Sequence, residues 1–145
     1  MSDLFERLLR ELGPLFHLKL KEDKIHACSI HIHDHLTIQL QPDAHQQHLW
    51  IFAKIAELPP GKFREEVFKE TLKANALPDP RIAHFGYIAN TNHLALFQSY
   101  PLLILNAERL AGLIGAIVEM AITWQHAIQS GQIAPNQPPN PFGMK

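Results

Sequence analysis

A-H-F-G-Y-I-A (Ala83–Ala89), H-L-A-L-F-Q-S (His93–Ser99) and the nearly uncharged run from Asn106 to Trp124 decide the fold of this chain. The first two segments are short and alternating, with the turn-like Asn90-Thr91-Asn92 between them, which predicts a strand pair. Tyr100-Pro101-Leu102-Leu103 then leads to Asn106, a helix N-cap residue with Glu108 in the first turn behind it. Leu110, Leu113, Ile114, Ile117, Ala121, Trp124 and Ile128 follow at helical spacing, and Gly131 sits where a glycine stop belongs. A helix this apolar has to bury itself against a sheet or a partner. No comparably clear catalytic motif accompanies it, so the function is expected in what the chain holds, not in what it converts.

Working outward towards the N-terminus, Pro59-Pro60-Gly61 opens a helix whose apolar stripe is Phe63, Val67, Phe68 and Leu72. Arg64, Glu65, Glu66, Lys69, Glu70 and Lys73 form its charged side, and Pro78 and Pro80 stop it. Before it, from Ile25 to Ile55, the period is two. Ile30 and Ile32 alternate with His31 and His33, and Leu36, Ile38 and Leu40 alternate with Thr37 and Gln39. A third run covers Leu49 to Ile55 after Pro42-Asp43-Ala44. These are three strands of an antiparallel meander. Leu49-Trp50-Ile51-Phe52 is apolar on both faces and therefore reads as a central or doubly covered strand. At the start, Ser2 is a candidate cap for a helix with Leu4, Phe5, Leu8, Leu9, Leu12 and Phe16 on its stripe, interrupted by Gly13-Pro14.

The predicted architecture is α+β: an antiparallel twisted sheet of about five strands with three helices, in the order α-β-β-β-α-β-β-α. Residues 1–131 are read as one domain. Residues 132–145, with Pro135, Pro138, Pro139 and Pro141, form a tail that makes neither regular helix nor central strand. There is no internal repeat.

Composition narrows the function classes. The chain has 145 residues, 46% hydrophobic and 19% charged, and a formal net charge of -1. That is a globular balance without the basic footprint of a nucleic-acid binder. A single cysteine, Cys28, excludes an intrachain disulfide and agrees with a reducing compartment. Asp3, Glu6, Arg7 and Arg10 break the N-terminal apolar pattern, so no signal-peptide core is expected. The greasiest segment, Leu110–Trp124, is shorter than the roughly 20 residues of a membrane span. The expectation is a cytoplasmic protein with no membrane insertion.

The element order resembles that of the class I chaperones of type III secretion, the CesT or Tir-chaperone family. The likeness is carried by Leu72-Lys73-Ala74-Asn75 at the end of the second helix, by Phe85-Gly86-Tyr87, by the strand His93–Phe97, and by Tyr100-Pro101-Leu102 leading into the helix with Trp124. It spans roughly residues 3 to 130. The resemblance implies a homodimer in the cytoplasm of a Gram-negative bacterium, with no cofactor, nucleotide or metal. It implies binding of a non-globular segment near the N-terminus of a secreted effector, which adds a strand and sets apolar side chains into surface patches. It places the dimer interface on the second helix and the Ala83–Ala89 strand, with Phe68, Leu72, Phe85 and Tyr87 as the residues. Two departures stand out: the sequence pI is about 6.8 with ten histidines, where such chaperones are usually acidic, and the Pro-rich tail has no counterpart.

Three amphipathic helices and five strands carry more apolar faces than one small core hides, and exposed excess marks a binding surface. Leu8, Leu12 and Phe16 on the first helix and Ile38 and Leu40 on the meander are the candidate effector contacts; the same side chains would serve equally as internal core. The histidines offer a different reading. His31 and His33 share a strand face, and with Asp34 or His35, and a further ligand from His26, His45 or His48, they would make a metal site. Against this, Ile30 and Ile32 are their inward partners, so the imidazoles read as a solvated face. Cys28 lacks an oxyanion loop and reads as packing. Glu65 and Glu66 read as a charged helix face, and Gly112-x-x-Gly115 as a site of close helix packing. The leading expectation is a non-enzymatic effector chaperone. The alternatives are a small metal-binding protein or enzyme built on the His-rich strands, and one subunit of a chaperone-like heterodimer.

Overall fold

The computed structural model describes residues 4–33, 36–77 and 82–135. Its elements are α1 (Leu4–Leu12), β1 (Cys28–His33), β2 (Leu36–Pro42), β3 (His48–Glu57), α2 (Lys62–Asn75), β4 (His84–Ile88), β5 (His93–Pro101) and α3 (Ala107–Gln129), with single 3-10 turns at Gly13–Phe16 and Leu102–Ile104. The five strands form one antiparallel sheet in the order β1-β2-β3-β5-β4. β3 is the middle strand, which accounts for its apolar residues on both faces.

Each helix ends where its chemistry ends it. Pro14 turns α1 into a 3-10 turn that closes on His17 in the left-handed region, since a proline ring cannot continue the α ladder. The Asn106 side chain accepts the Arg109 N–H at 2.7 Å and starts α3, as an N-cap oxygen does. At the other end, Gly131 takes φ +82°, and the Gly131 and Gln132 amides reach back to the carbonyls of Ile128 and Ala127. This is the Schellman closure, which needs a residue tolerant of positive φ.

α3 lies against β3 and touches β2, α1 lies against α3, and α2 packs on β4. One face of the sheet is therefore covered by two helices. Its inward side chains, Ile30, Ile38, Leu40, Leu49, Ile51, Leu94 and Leu96, interlock with Phe5, Leu12, Leu110, Ile114 and Ile117 in one continuous core. Phe85 from β4 meets Trp124 of α3 edge-on at 4.5 Å. α3 is 23 residues long, longer than its greasiest stretch, and is long and apolar enough to span a bilayer by length and composition alone, as core helices also are. Its stripe of Leu110, Ile114, Ile117, Ala121, Trp124 and Ile128 is buried against the sheet and α1.

Candidate functional site

The two outer edges of the sheet differ. On β4, the Asn75 side chain at the end of α2 donates to the Phe85 carbonyl at 3.1 Å and accepts the Phe85 N–H at 2.8 Å. One amide thus occupies the outward donor and acceptor of Phe85, as a neighbouring strand would. Nearby, the Tyr87 hydroxyl donates to the Leu58 carbonyl and lies 2.9 Å from Asn92 Oδ1. Arg64 donates to that same hydroxyl at 3.0 Å, its guanidinium lying over the rings of Tyr87 and Phe68. On β1 there is no such cover. Among the described residues, no backbone group bonds to the outer edge of Cys28–His33. An open edge of this kind is a template for an added strand.

Beside β1, the entry turn is ordered by Asp23, whose carboxylate accepts the Ile25 and Ala27 amides at 2.9 and 3.0 Å. This holds Ile25 outward, 62% exposed. Leu15 and Leu18, around the 3-10 turn after α1, are also exposed, as are Leu103 and Ile104 in the second 3-10 turn. Both turns pack on α1. Around α1 the exposed apolar surface therefore lies at its ends and flanks, not along its stripe, and a second exposed set, including Leu72 and Leu77, lies on and after α2.

The expected effector contacts fall mostly in the core of the chain, the second of the two roles open to them in the sequence. Leu12, Ile38 and Leu40 are completely buried and Leu8 nearly so. The pleat of β2 turns Ile38 and Leu40 under α3, while Thr37, Gln39 and Gln41 face outward. Phe16 alone is partly accessible, packed on the rim of the core. Of the expected interface residues, Leu72 is 66% exposed, whereas Phe68 and Tyr87 are half-buried against each other, ring centroids 4.9 Å apart. Phe85 is core. Phe68, Leu72 and Tyr87 nevertheless frame one apolar groove of about 210 Å³ with Phe85 and Leu94 at its base.

The second sheet face, opposite α1 and α3, carries an aromatic shelf. Trp50 stacks beside Phe52 with centroids 6.0 Å apart, Trp50 and Phe97 are 6.3 Å apart, and His84 lies over Phe97 at 5.9 Å. Gly86 makes room for the shelf, because a Cβ there would meet the Phe97 ring at 3.0 Å. The apolar run at Leu49–Phe52 was the sequence signal for this face. The buried Gln125, whose amide donates to the Ile55 carbonyl at the β3 bulge, left no such signal, since it joins residues far apart in the chain; Asn75 and Phe85 lie in stretches that carry the family likeness, but their pairing was not legible there.

Among the described residues the histidines do not gather. His31 Nδ1 lies 3.0 Å from Thr37 Oγ1, His26 from Glu22 at 3.0 Å, and His48 from Asp43 at 3.3 Å. Among the described residues, no three His, Cys, Asp or Glu side chains converge as metal ligands; Asp34 and His35 lie outside the described residues. Burial pushes the Cys28 thiol above its ordinary range, the opposite of an activated nucleophile. Gly112 and Gly115 face open space on α3, so they mediate no close packing within the chain.

A helix-backed antiparallel sheet with one free edge, one sealed edge and apolar patches defines a binding module of the secretion-chaperone class. The chain belongs to the Tir chaperone protein (CesT) family, which matches residues 7–125. Its fold is similar to that of the Yersinia pestis type III secretion chaperone SycH, solved with a stable fragment of YscM2, at TM-score 0.67 and 16% identity over 82% of this chain and 98% of that one. It is also similar to the ExsC–ExsE complex, at TM-score 0.66 and 20% identity over 86% and 96%. The HopA1–SchA chaperone–effector complex matches at TM-score 0.65 and 16% identity, over 88% and 100%. No curated protein sequence matches the chain.

Proposed function

We propose that this chain is a cytoplasmic, non-enzymatic chaperone of type III secretion. It holds the chaperone-binding segment of a secreted effector extended, soluble and competent for export. The observation that carries the reading is the inequality of the two sheet edges: β4 is sealed by Asn75, and β1 is open beside the exposed Leu18 and Ile25. An extended effector segment adds to β1 through backbone hydrogen bonds. Its alternate side chains anchor on the apolar flank, and a following helical stretch reaches Leu103 and Ile104. The chaperone–effector complexes among the structural neighbours support this reading.

The working unit is a homodimer through α2 and β4, with Leu72 of each copy entering the partner's groove between Phe68 and Tyr87. Its mass is about 33 kDa, twice the 16.5 kDa chain. The test is hydrogen exchange on the dimer with and without a co-expressed effector segment. The outward amides of β1 gain protection on binding, and those of β4 do not change. Protection appearing at β4 and not at β1 would overturn the assignment. Leu18→Asp with Ile25→Asp retains fold and mass but weakens effector capture tenfold or more, because two exposed apolar anchors are lost.

A further inference from the structure

The open edge of β1 is entered through a connection whose free charges are all positive. Residues 17–27 run from the first 3-10 turn to β1, and Asp23 closes their last turn. Its amide donates to the Ala27 carbonyl at 2.7 Å, and its carboxylate accepts the Ala27 N–H at 3.0 Å. Both outward backbone groups of Ala27 are thus spent. Strand alternation turns the N–H and carbonyl of Ser29 and His31 the same way, so these are the groups left for an added strand. Lys19, Lys21 and Lys24 stand on the connection, all exposed, and none of the three has an ion-pair partner among the described residues. The Lys21 backbone N–H points at the Cys28 thiol, which sets this lysine beside the first residue of the strand. The carboxylates of the same stretch are already engaged, Glu22 lying 3.0 Å from His26 and Asp23 holding the turn. Next to them, the outward side chains of β1 and β2 include no carboxylate among the described residues. The lysines of α2 differ, since Lys69 and Lys73 pair with Glu66 and Glu70 at 3.6 and 2.9 Å.

We propose that this edge selects an acidic segment: an extended stretch of the partner chain that pairs its backbone with Ser29 and His31 and carries carboxylates facing Lys19, Lys21 and Lys24. This rests on the effector-chaperone reading above and adds the chemistry of the segment held. An acidic strand supplies the counter-charges that the three ammonium groups lack, whereas a basic strand sets its own cations against them. Exposed ion pairs are individually weak, so the three lysines act together. They act first on encounter, because a field of one sign beside a docking edge draws in an oppositely charged segment and holds off a like-charged one. The screening length falls from about 30 Å at 0.01 M salt to about 8 Å at 0.15 M. The selection therefore weakens with salt, while the backbone hydrogen bonds and the apolar flank at Leu18 and Ile25 respond far less.

The test uses the full chain and three synthetic peptides with the same isoleucines at alternate positions and glutamate, serine or lysine between them. Amide exchange on the chain reports where each peptide binds, and the anisotropy of a dye on the peptide reports how tightly. The glutamate peptide should protect the Ser29 and His31 amides. It should bind roughly tenfold tighter than the serine peptide at about 0.01 M salt, with most of that advantage lost at about 0.15 M, and the lysine peptide should bind weakest. Lys19→Gln, Lys21→Gln and Lys24→Gln together should remove the advantage and leave the affinity for the serine peptide unchanged. Arginine at the same three positions should keep the advantage, as should Lys69→Gln with Lys73→Gln on α2. Equal affinity for the three peptides, each protecting Ser29 and His31, overturns the proposal and leaves the open edge standing as the effector site. A glutamate preference that survives the three glutamines also overturns it, because the selecting charge would then lie elsewhere. If no peptide protects β1, the open-edge reading itself fails and the acidic preference fails with it.

Discussion

Asn75 and Asp43 each act through a short backbone-mimicking side chain. Replacing Asn75 by alanine leaves the outward N–H and carbonyl of Phe85 without partners in a half-buried position. Groups stranded in this way cost about 1–3 kcal/mol, so Asn75→Ala should lose that much in urea unfolding. A loss below about 0.5 kcal/mol, typical of neutral surface changes, would show that water reaches the edge. Asp43 accepts the Gln47 amide at 2.8 Å, which holds its carboxyl below the ordinary value of 3.8, with His48 adding to the effect. A depressed folded-state pKa means stability that is present above the unfolded value and lost as pH falls through the folded one. Asp43→Asn should therefore be less stable than the parent at pH 7, and the difference should shrink as the parent's carboxylate is protonated. A constant difference across that range would remove the charge from the explanation.

At the level of elements, α2 is the outlier. It packs on the outer strand β4, and its stripe leaves Leu72 exposed while Val67 is buried. Leu72→Arg should keep the secondary structure and unfolding midpoint of the chain but halve the mass seen by light scattering. A dimer that survives the substitution would move the interface elsewhere. The helices and strands themselves were legible because each carries a period and a stop. Pro14 ends α1, Gly61 stands at the start of α2, and Asn106 and Gly131 bound α3. The candidate effector contacts were not legible in the same way. Alternation at Ile38 and Leu40 shows that they share a face, but it does not say whether that face lies under a helix. The structure puts α3 there, and several of the exposed apolar residues, among them Ile25, Leu18 and Leu103, are single positions outside the long helices and strands that no periodicity marks.

For the whole molecule, one core joins α1, α3 and the sheet, and a charge inside it has nowhere to go. Leu12→Asp should therefore unfold the chain, with loss of far-ultraviolet ellipticity, and any loss of effector binding would be secondary. A folded Leu12→Asp protein with weakened effector capture would restore Leu12 as a contact. The local pattern of apolar, capping and breaking residues was by itself enough to determine the α-β-β-β-α-β-β-α order and to mark Leu49–Phe52 as a central or doubly covered strand, while the family entered through resemblance. The order and the strand marking depend on spacing along the chain, where backbone geometry sets the period. Only the tertiary structure decided which sheet face is covered, which edge Asn75 closes and where apolar surface is left over. Those outcomes depend on contacts between residues far apart in sequence, such as Asn75 with Phe85 and Gln125 with Ile55, and strand pairing and helix docking select them together.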